Sequence, residues 1–116
     1  MAAALVNVDM IGDRVLAVLN EQNSHPAVRQ LIWSVAADLG LARHFLTVPS
    51  WIEDDHMPFI RLGVPAADLI DFDYGPGNKY WHTSEDTAGK LAPESFDVIG
   101  KVLLEFLRRV ETGALK

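Results

Sequence analysis

Apolar residues recur at helical spacing in two long segments of the chain. The first follows Ser24, a candidate N-cap, has Pro26 in its first turn and stops before Gly40. The second begins at Pro93 and stops at Gly113. Because residues three and four apart share one face of a helix, both segments predict amphipathic helices that pack on a core. The apolar positions are Val28, Leu31, Ile32, Val35, Ala36 and Leu39, then Phe96, Ile99, Leu103, Phe106, Leu107 and Val110.

Short apolar runs elsewhere predict β-strands. Residues 4–11 are nearly continuous in apolar side chains, which favours a strand covered on both faces. Residues 15–19 form a second run just after Gly12 and Asp13, so the two runs are predicted to pair as a hairpin. Residues 45–48 and 66–70 are two further predicted strands. The order strand, strand, helix, strand, strand, helix predicts an α/β fold.

Length and composition fit one folded domain over residues 1–116. Hydrophobic residues make up 49% of the chain and charged residues 22%, so it can bury a core. The formal net charge of −6 argues against nucleic-acid binding, which needs a basic surface. No apolar run approaches the ~20 residues that span a bilayer, and the start lacks the basic segment of a signal peptide. The pattern therefore predicts no membrane partner and leaves the localisation unknown.

Side chains capable of chemistry concentrate in residues 51–87, beside turns at both ends of an apolar strand. His82 follows Trp81 in a predicted loop and is either a zinc ligand or a hydrogen-bonded loop histidine. Asp9 interrupts an apolar run, so its carboxylate must be paired, hydrogen-bonded or bound to a metal. Asp54 precedes a histidine and is either an acid–base group or part of a turn or helix cap. Because the chain has no cysteine, thiolate metal sites are excluded.

Five motifs follow one another along nearly the whole chain. They are VDMIGD at 8–13, EDDHMPF at 53–59, GVP at 63–65, LIDFDY at 69–74 and YWHTSEDT at 80–87. Together they resemble the C-terminal half of the zinc-dependent exopeptidase family, which includes two-zinc aminopeptidases and glutaminyl-peptide cyclotransferases. The second motif followed by Trp-His-Thr looks closest to the cyclotransferase branch.

The resemblance implies a partial three-layer fold, with a central mixed, mostly parallel sheet flanked by helices. It implies that His82 is the last zinc ligand and that Asp9 is either a metal ligand or a hydrogen-bonding acid. It identifies Asp54 with an acid in the cyclotransferase proton network, while Trp81 and His56 are predicted to bind substrate. The parent activity would be cyclisation of an N-terminal glutamine of a peptide to pyroglutamate, with release of ammonia.

The chain departs from this family in lacking its upstream half, which carries further metal ligands and a Glu-Glu pair. Glu21 stands in a different sequence context. Zinc needs at least three protein ligands, so we expect zinc in the parent enzyme and weak or no zinc binding here. The chain is therefore expected to be a truncated portion that is inactive alone.

Missing upstream strands would leave the strand at residues 5–11 with an open edge or an apolar face. This predicts a homo-oligomer formed through the uncovered sheet. Two other functions stay open on the sequence. The chain is either a fragment of a two-zinc aminopeptidase or a non-catalytic, self-associating α/β module.

Overall fold

Four strands and three helices make up the described part of the chain. A computed structural model describes residues 4–72, 83–84 and 87–115. The strands are Leu5–Asp9 (β1), Val18–Glu21 (β2), Phe45–Ser50 (β3) and Ala66–Ile70 (β4). The helices are Pro26–Asp38 (α1), Met57–Arg61 (α2) and Pro93–Glu111 (α3), and single 3₁₀ turns occupy Ala42–His44 and Ala88–Lys90.

The strands associate in two parallel pairs. β1 pairs with β4 and β2 pairs with β3. β2 also lies beside β4, and just past the end of β2 the His25 amide donates to the Ala66 carbonyl at 2.7 Å. The α/β class, with parallel strands flanked by helices, is therefore confirmed.

The predicted hairpin between the first two strands is wrong. After β1 the chain turns toward the start of α3, where Asp13 forms an antiparallel bridge with Leu91. The Ala92 amide donates to the Gly12 carbonyl at 2.9 Å. A Cβ on Gly12 would come within 2.8 Å of the Phe96 ring. Gly12 therefore permits the chain to pack closely against α3 and against the segment that leads into α3. The sequence predicted a hairpin turn at this position instead.

The core lies between the strands and the two long helices, which contact each other. Val28, Ile32, Val35 and Ala36 are the buried positions of α1 and match its predicted face. The predicted face of α3 is only partly right, because Phe96 and Leu107 are 48% and 54% exposed. The hydrophobic residues that α3 buries are Val98, Ile99, Val102 and Phe106.

An apolar groove of about 330 Å³ runs between β1 and α3. Ala4, Val6 and Val8 line it from the strand side, and four α3 side chains line it from the other. Among the described residues, no strand pairs with the edge of β1 that faces away from β4. None of the helices in the described chain has the length and apolar composition that a bilayer crossing requires.

Candidate active site

Polar side chains from three separate segments meet at β1 and β4. The two strands are parallel, so both end at the same edge of the pair. Asn7 on β1 is in register with Asp68 on β4, and Asp9 ends β1 opposite Ile70. The next residue, Met10, has a φ of 54°, a left-handed conformation that is uncommon for a residue with a side chain. The chain thus turns sharply away immediately after Asp9.

Asp54 reaches this edge from the loop between β3 and α2. The Asn7 side-chain amide donates to Asp54 Oδ2 at 3.1 Å and to Asp68 Oδ1 at 3.0 Å. The Asp54 carboxyl also lies close enough to the Asp9 carboxyl for its charge and hydrogen bonding to raise the pKa of Asp9. Two of the predicted site residues, distant in the sequence, therefore lie together at the end of β1.

Two of the carboxyl groups here, those of Asp9 and Asp68, hold protons more tightly than isolated ones do. Burial raises the pKa of Asp9, and the negative charge of Asp54 and its hydrogen bond raise it further. Burial and the nearby Asp54 charge raise the pKa of Asp68 to about 8, against the opposing effect of the hydrogen bond from Asn7. Two carboxyl groups can share a hydrogen bond only if one proton lies between them. Carboxyl groups whose pKa is raised by burial and by a neighbouring acid are suited to accept and return a proton.

His56 lies behind this cluster with its side chain fully buried. Its Nε2 is 2.7 Å from Glu21 Oε1, a hydrogen bond between buried partners. Its Nδ1 is 3.7 Å from Asp68 Oδ2, which is beyond hydrogen-bond range. Substrate binding by His56 stays a prediction, and in this structure the ring is enclosed by protein.

Sequence reasoning missed Glu21 and Asp68. Asp68 interrupts the apolar run of β4 just as Asp9 interrupts that of β1, so the argument applied to Asp9 would have found it. Glu21 gave no local signal, since it lies in the polar segment 20–25, which was predicted to be a loop after the strand at residues 15–19, whereas β2 extends to Glu21. Ser24 does not cap α1, because its hydroxyl donates to Glu21 Oε1 at 3.1 Å and accepts the Asp68 amide at 2.9 Å.

Trp81 and His82 lie outside the described residues, so their predicted roles in substrate and zinc binding stay predictions. Across residues 4–72, 83–84 and 87–115, no three His, Cys, Asp or Glu side chains are grouped so that they would hold a metal ion. Asp9 is the described member of the predicted ligand pair. The described residues therefore do not by themselves fit a zinc centre, and the chemistry that they support is that of the carboxyl groups.

A known protein family matches nearly the whole chain. The model of Peptidase family M28 matches residues 1–107. The chain belongs to Peptidase family M28. The resemblance to zinc-dependent exopeptidases that the five motifs indicated is thereby confirmed.

Relatives of this M28 chain include glutaminyl cyclases and exopeptidases. It is 41% identical over 59 residues to a glutaminyl-peptide cyclotransferase-like protein of Bos taurus, an alignment that covers 51% of this chain and 15% of that protein. A glutaminyl cyclase of an Acidobacteriales bacterium superposes with a TM-score of 0.88 and 36% identity, over 91% of this chain and 38% of the other. A Zn-dependent exopeptidase of Parabacteroides distasonis superposes with a TM-score of 0.75 and 29% identity, over 86% of this chain and 37% of the other. The chain is thus a glutaminyl cyclase-like M28 domain that spans well under half of these relatives.

Proposed function

We propose that this chain belongs to a protein that cyclises the N-terminal glutamine of a peptide to pyroglutamate and releases ammonia. The observation that carries the proposal is the hydrogen-bonded pair of Asp54 and Asp9, braced by Asn7, at the end of β1. The similarity to glutaminyl cyclases supports it, since one of them is 36% identical and covers 91% of the chain.

The reaction needs a group that carries a proton from one nitrogen to another. The α-amine of glutamine attacks the carbonyl carbon of its own side-chain amide, a carbon–nitrogen bond forms, and the amide nitrogen leaves as ammonia. The attacking amine must lose a proton and the leaving nitrogen must gain one. Asp9, whose pKa is raised by burial and by the neighbouring Asp54, is a carboxyl group that can hold that proton in transit.

We also propose that activity requires more of the family domain than residues 1–116. The match covers 38% of the Acidobacteriales glutaminyl cyclase, so most of such a domain has no counterpart here. In the longer protein, zinc would be held by His82 and by ligands from outside this chain, and Asp9 would be a further zinc ligand only in a two-zinc parent. The peptide substrate would bind there as well, with Trp81 at the pocket wall.

A two-zinc aminopeptidase is the second candidate parent. It is favoured by the likeness to a Zn-dependent exopeptidase, although that identity is 29% against 36% for the cyclase. Hydrolysis of a peptide bond would use the same carboxyl edge with a water molecule as nucleophile.

The test compares the 116-residue chain with a longer protein that contains it, each assayed with zinc on two substrates. We expect the longer protein to release ammonia from a glutaminyl peptide and to leave an aminoacyl anilide intact. The 116-residue chain should turn over neither. Hydrolysis of the anilide without cyclisation of the glutaminyl peptide would contradict the proposed cyclase function and favour the aminopeptidase. Turnover by the 116-residue chain would contradict its inactivity.

A further inference from the structure

The carboxylate of Glu21 lies beside the candidate site and is hydrogen-bonded at both of its oxygens. It is 1% exposed at the end of β2. Ser24 Oγ and His56 Nε2 contact Oε1 at 3.1 and 2.7 Å. The amides of Asn23 and Ile52 donate to Oε2 at 2.7 and 3.1 Å. Each oxygen thus has two partners, which is how a buried carboxylate is compensated for its lost hydration.

Two of these four contacts fall on either side of Asp54. Ile52 lies two residues before it and His56 two residues after it. One carboxylate therefore holds both ends of the loop that presents Asp54. The Asn23 side chain adds a further tie by donating to the Ile52 carbonyl at 3.2 Å. Within the loop, the Asp54 carbonyl accepts the Met57 amide at 3.0 Å as α2 begins.

We propose that Glu21 is a positioning residue: by holding Ile52 and His56 it fixes the Asp54 carboxyl against Asn7 and Asp9. The consequence for catalysis rests on the proposed function, whereas the placement of Asp54 does not. A role in stability alone would be served as well by apolar side chains, because replacing a buried ion pair by hydrophobic residues is often neutral or stabilising. The hydrogen-bonded pair of Glu21 and His56 has directional contacts that an apolar pair lacks, and these set the position of the loop.

An amide proton within the loop reports the position of the Asp54 carboxyl. The Asp55 amide donates to Asp54 Oδ1 at 2.8 Å, so its proton resonance and its hydrogen exchange follow the position of that carboxyl. Both are measurable by NMR on the 116-residue chain without substrate or metal. Glu53 offers a matched control, because its side chain is 82% exposed in the same loop.

Glu21→Gln keeps the size of the side chain and turns one acceptor oxygen into a donor, so one end of the loop is released. We expect the Asp55 amide proton to move upfield and to exchange faster, while Glu53→Gln leaves both unchanged. In the longer, zinc-loaded protein, kcat on a glutaminyl peptide should fall about 10- to 100-fold with little change in KM. A merely structural role would lower stability without changing kcat of the folded fraction.

His56→Gln releases the other end of the loop and should give a smaller change in the same direction. If Glu21→Gln fails to fold, the His56→Gln variant tests the positioning role of this contact instead. A folded variant whose Asp55 amide and kcat both match the wild type would overturn the proposal, as would an equal change in Glu53→Gln. If the wild type cyclises no glutaminyl substrate, the proposed function fails while the NMR comparison still decides the role of Glu21.

Discussion

At the scale of the residue, Asp68 links the stability of the fold to pH. Its carboxyl group lies in the buried strand β4, where burial and the charge of Asp54 raise its pKa from 3.8 to about 8. A group whose pKa is higher in the folded than in the unfolded chain contributes stability at low pH. That contribution is complete below the unfolded value and is lost as the pH rises through the folded value. For Asp68 the loss therefore falls between about pH 4 and about pH 8.

Asp68→Asn should remove most of this pH dependence, because an amide keeps the oxygen that accepts from Asn7 and has no proton to lose. We expect the free energy of unfolding of the wild type to fall by about 1–3 kcal/mol more than that of the variant between pH 6 and pH 9. Urea denaturation at the two pH values measures this. Asp97→Asn, at an exposed position paired with Lys101, is the control. A parallel fall in wild type and Asp68→Asn would show that Asp68 is not the group responsible.

At the scale of the element, the end of α2 depends on a glycine. Gly63 has a φ of +82°, and its amide donates to the Ile60 carbonyl at 3.0 Å. The Val64 amide donates to the Phe59 carbonyl at 2.9 Å, which completes a Schellman motif. The motif ends the helix and directs the chain into β4. The position of β4 relative to the Asp54 loop thus depends on this turn.

Gly63→Ala should destabilise the chain by about 1–2 kcal/mol, because a left-handed backbone brings Cβ against the carbonyl oxygen. Gly100→Ala is the matched substitution in the middle of α3, where an added Cβ meets nothing within 4 Å. It should stabilise the chain by about 0.5–1 kcal/mol. Urea denaturation of the two variants measures both effects. Changes of the same sign would refute the assignment of a required left-handed turn to Gly63.

The elements also show how far the sequence predicts this fold. α1 and α3 were predicted because helical periodicity is local to each segment. The hairpin was wrong because the partner of β1 is β4, far along the chain, and no local pattern identifies it. Asp9 was found because it interrupts an apolar run, and the family motifs then related both Asp9 and Asp54 to acids of the site. The role of Glu21 was not found, since its contacts exist only after β2, the Asp54 loop and α2 come together.

At the scale of the whole molecule, the groove between β1 and α3 is the surface that bears on self-association. Val8 lines this groove and is 39% exposed. It lies on β1, which pairs with β4 and with no other strand in the described part of the chain. Apolar strand edges of this kind pair readily with other chains. Homo-oligomer formation through this face stays a prediction.

Light scattering at increasing protein concentration tests that prediction. We expect the wild type to form dimers and Val8→Lys to remain monomeric, because an edge lysine opposes strand pairing. Val15→Lys places the same charge at a valine that is 78% exposed and does not line the groove, so it should dimerise as the wild type does. A wild type that stays monomeric at high concentration would exclude association through β1.

The proposed role of Asp54 and Asp9 as one proton-handling pair is tested most directly by comparing two adjacent aspartates. The assay is pyroglutamate formation by the longer, zinc-loaded protein with Asp54→Asn or Asp55→Asn. Asp55 is exposed in the same loop, so its variant makes the same chemical change beside the pair. We predict that Asp54→Asn lowers kcat at least about 100-fold and that Asp55→Asn stays close to the wild type. Equal activity of the two variants would contradict the account.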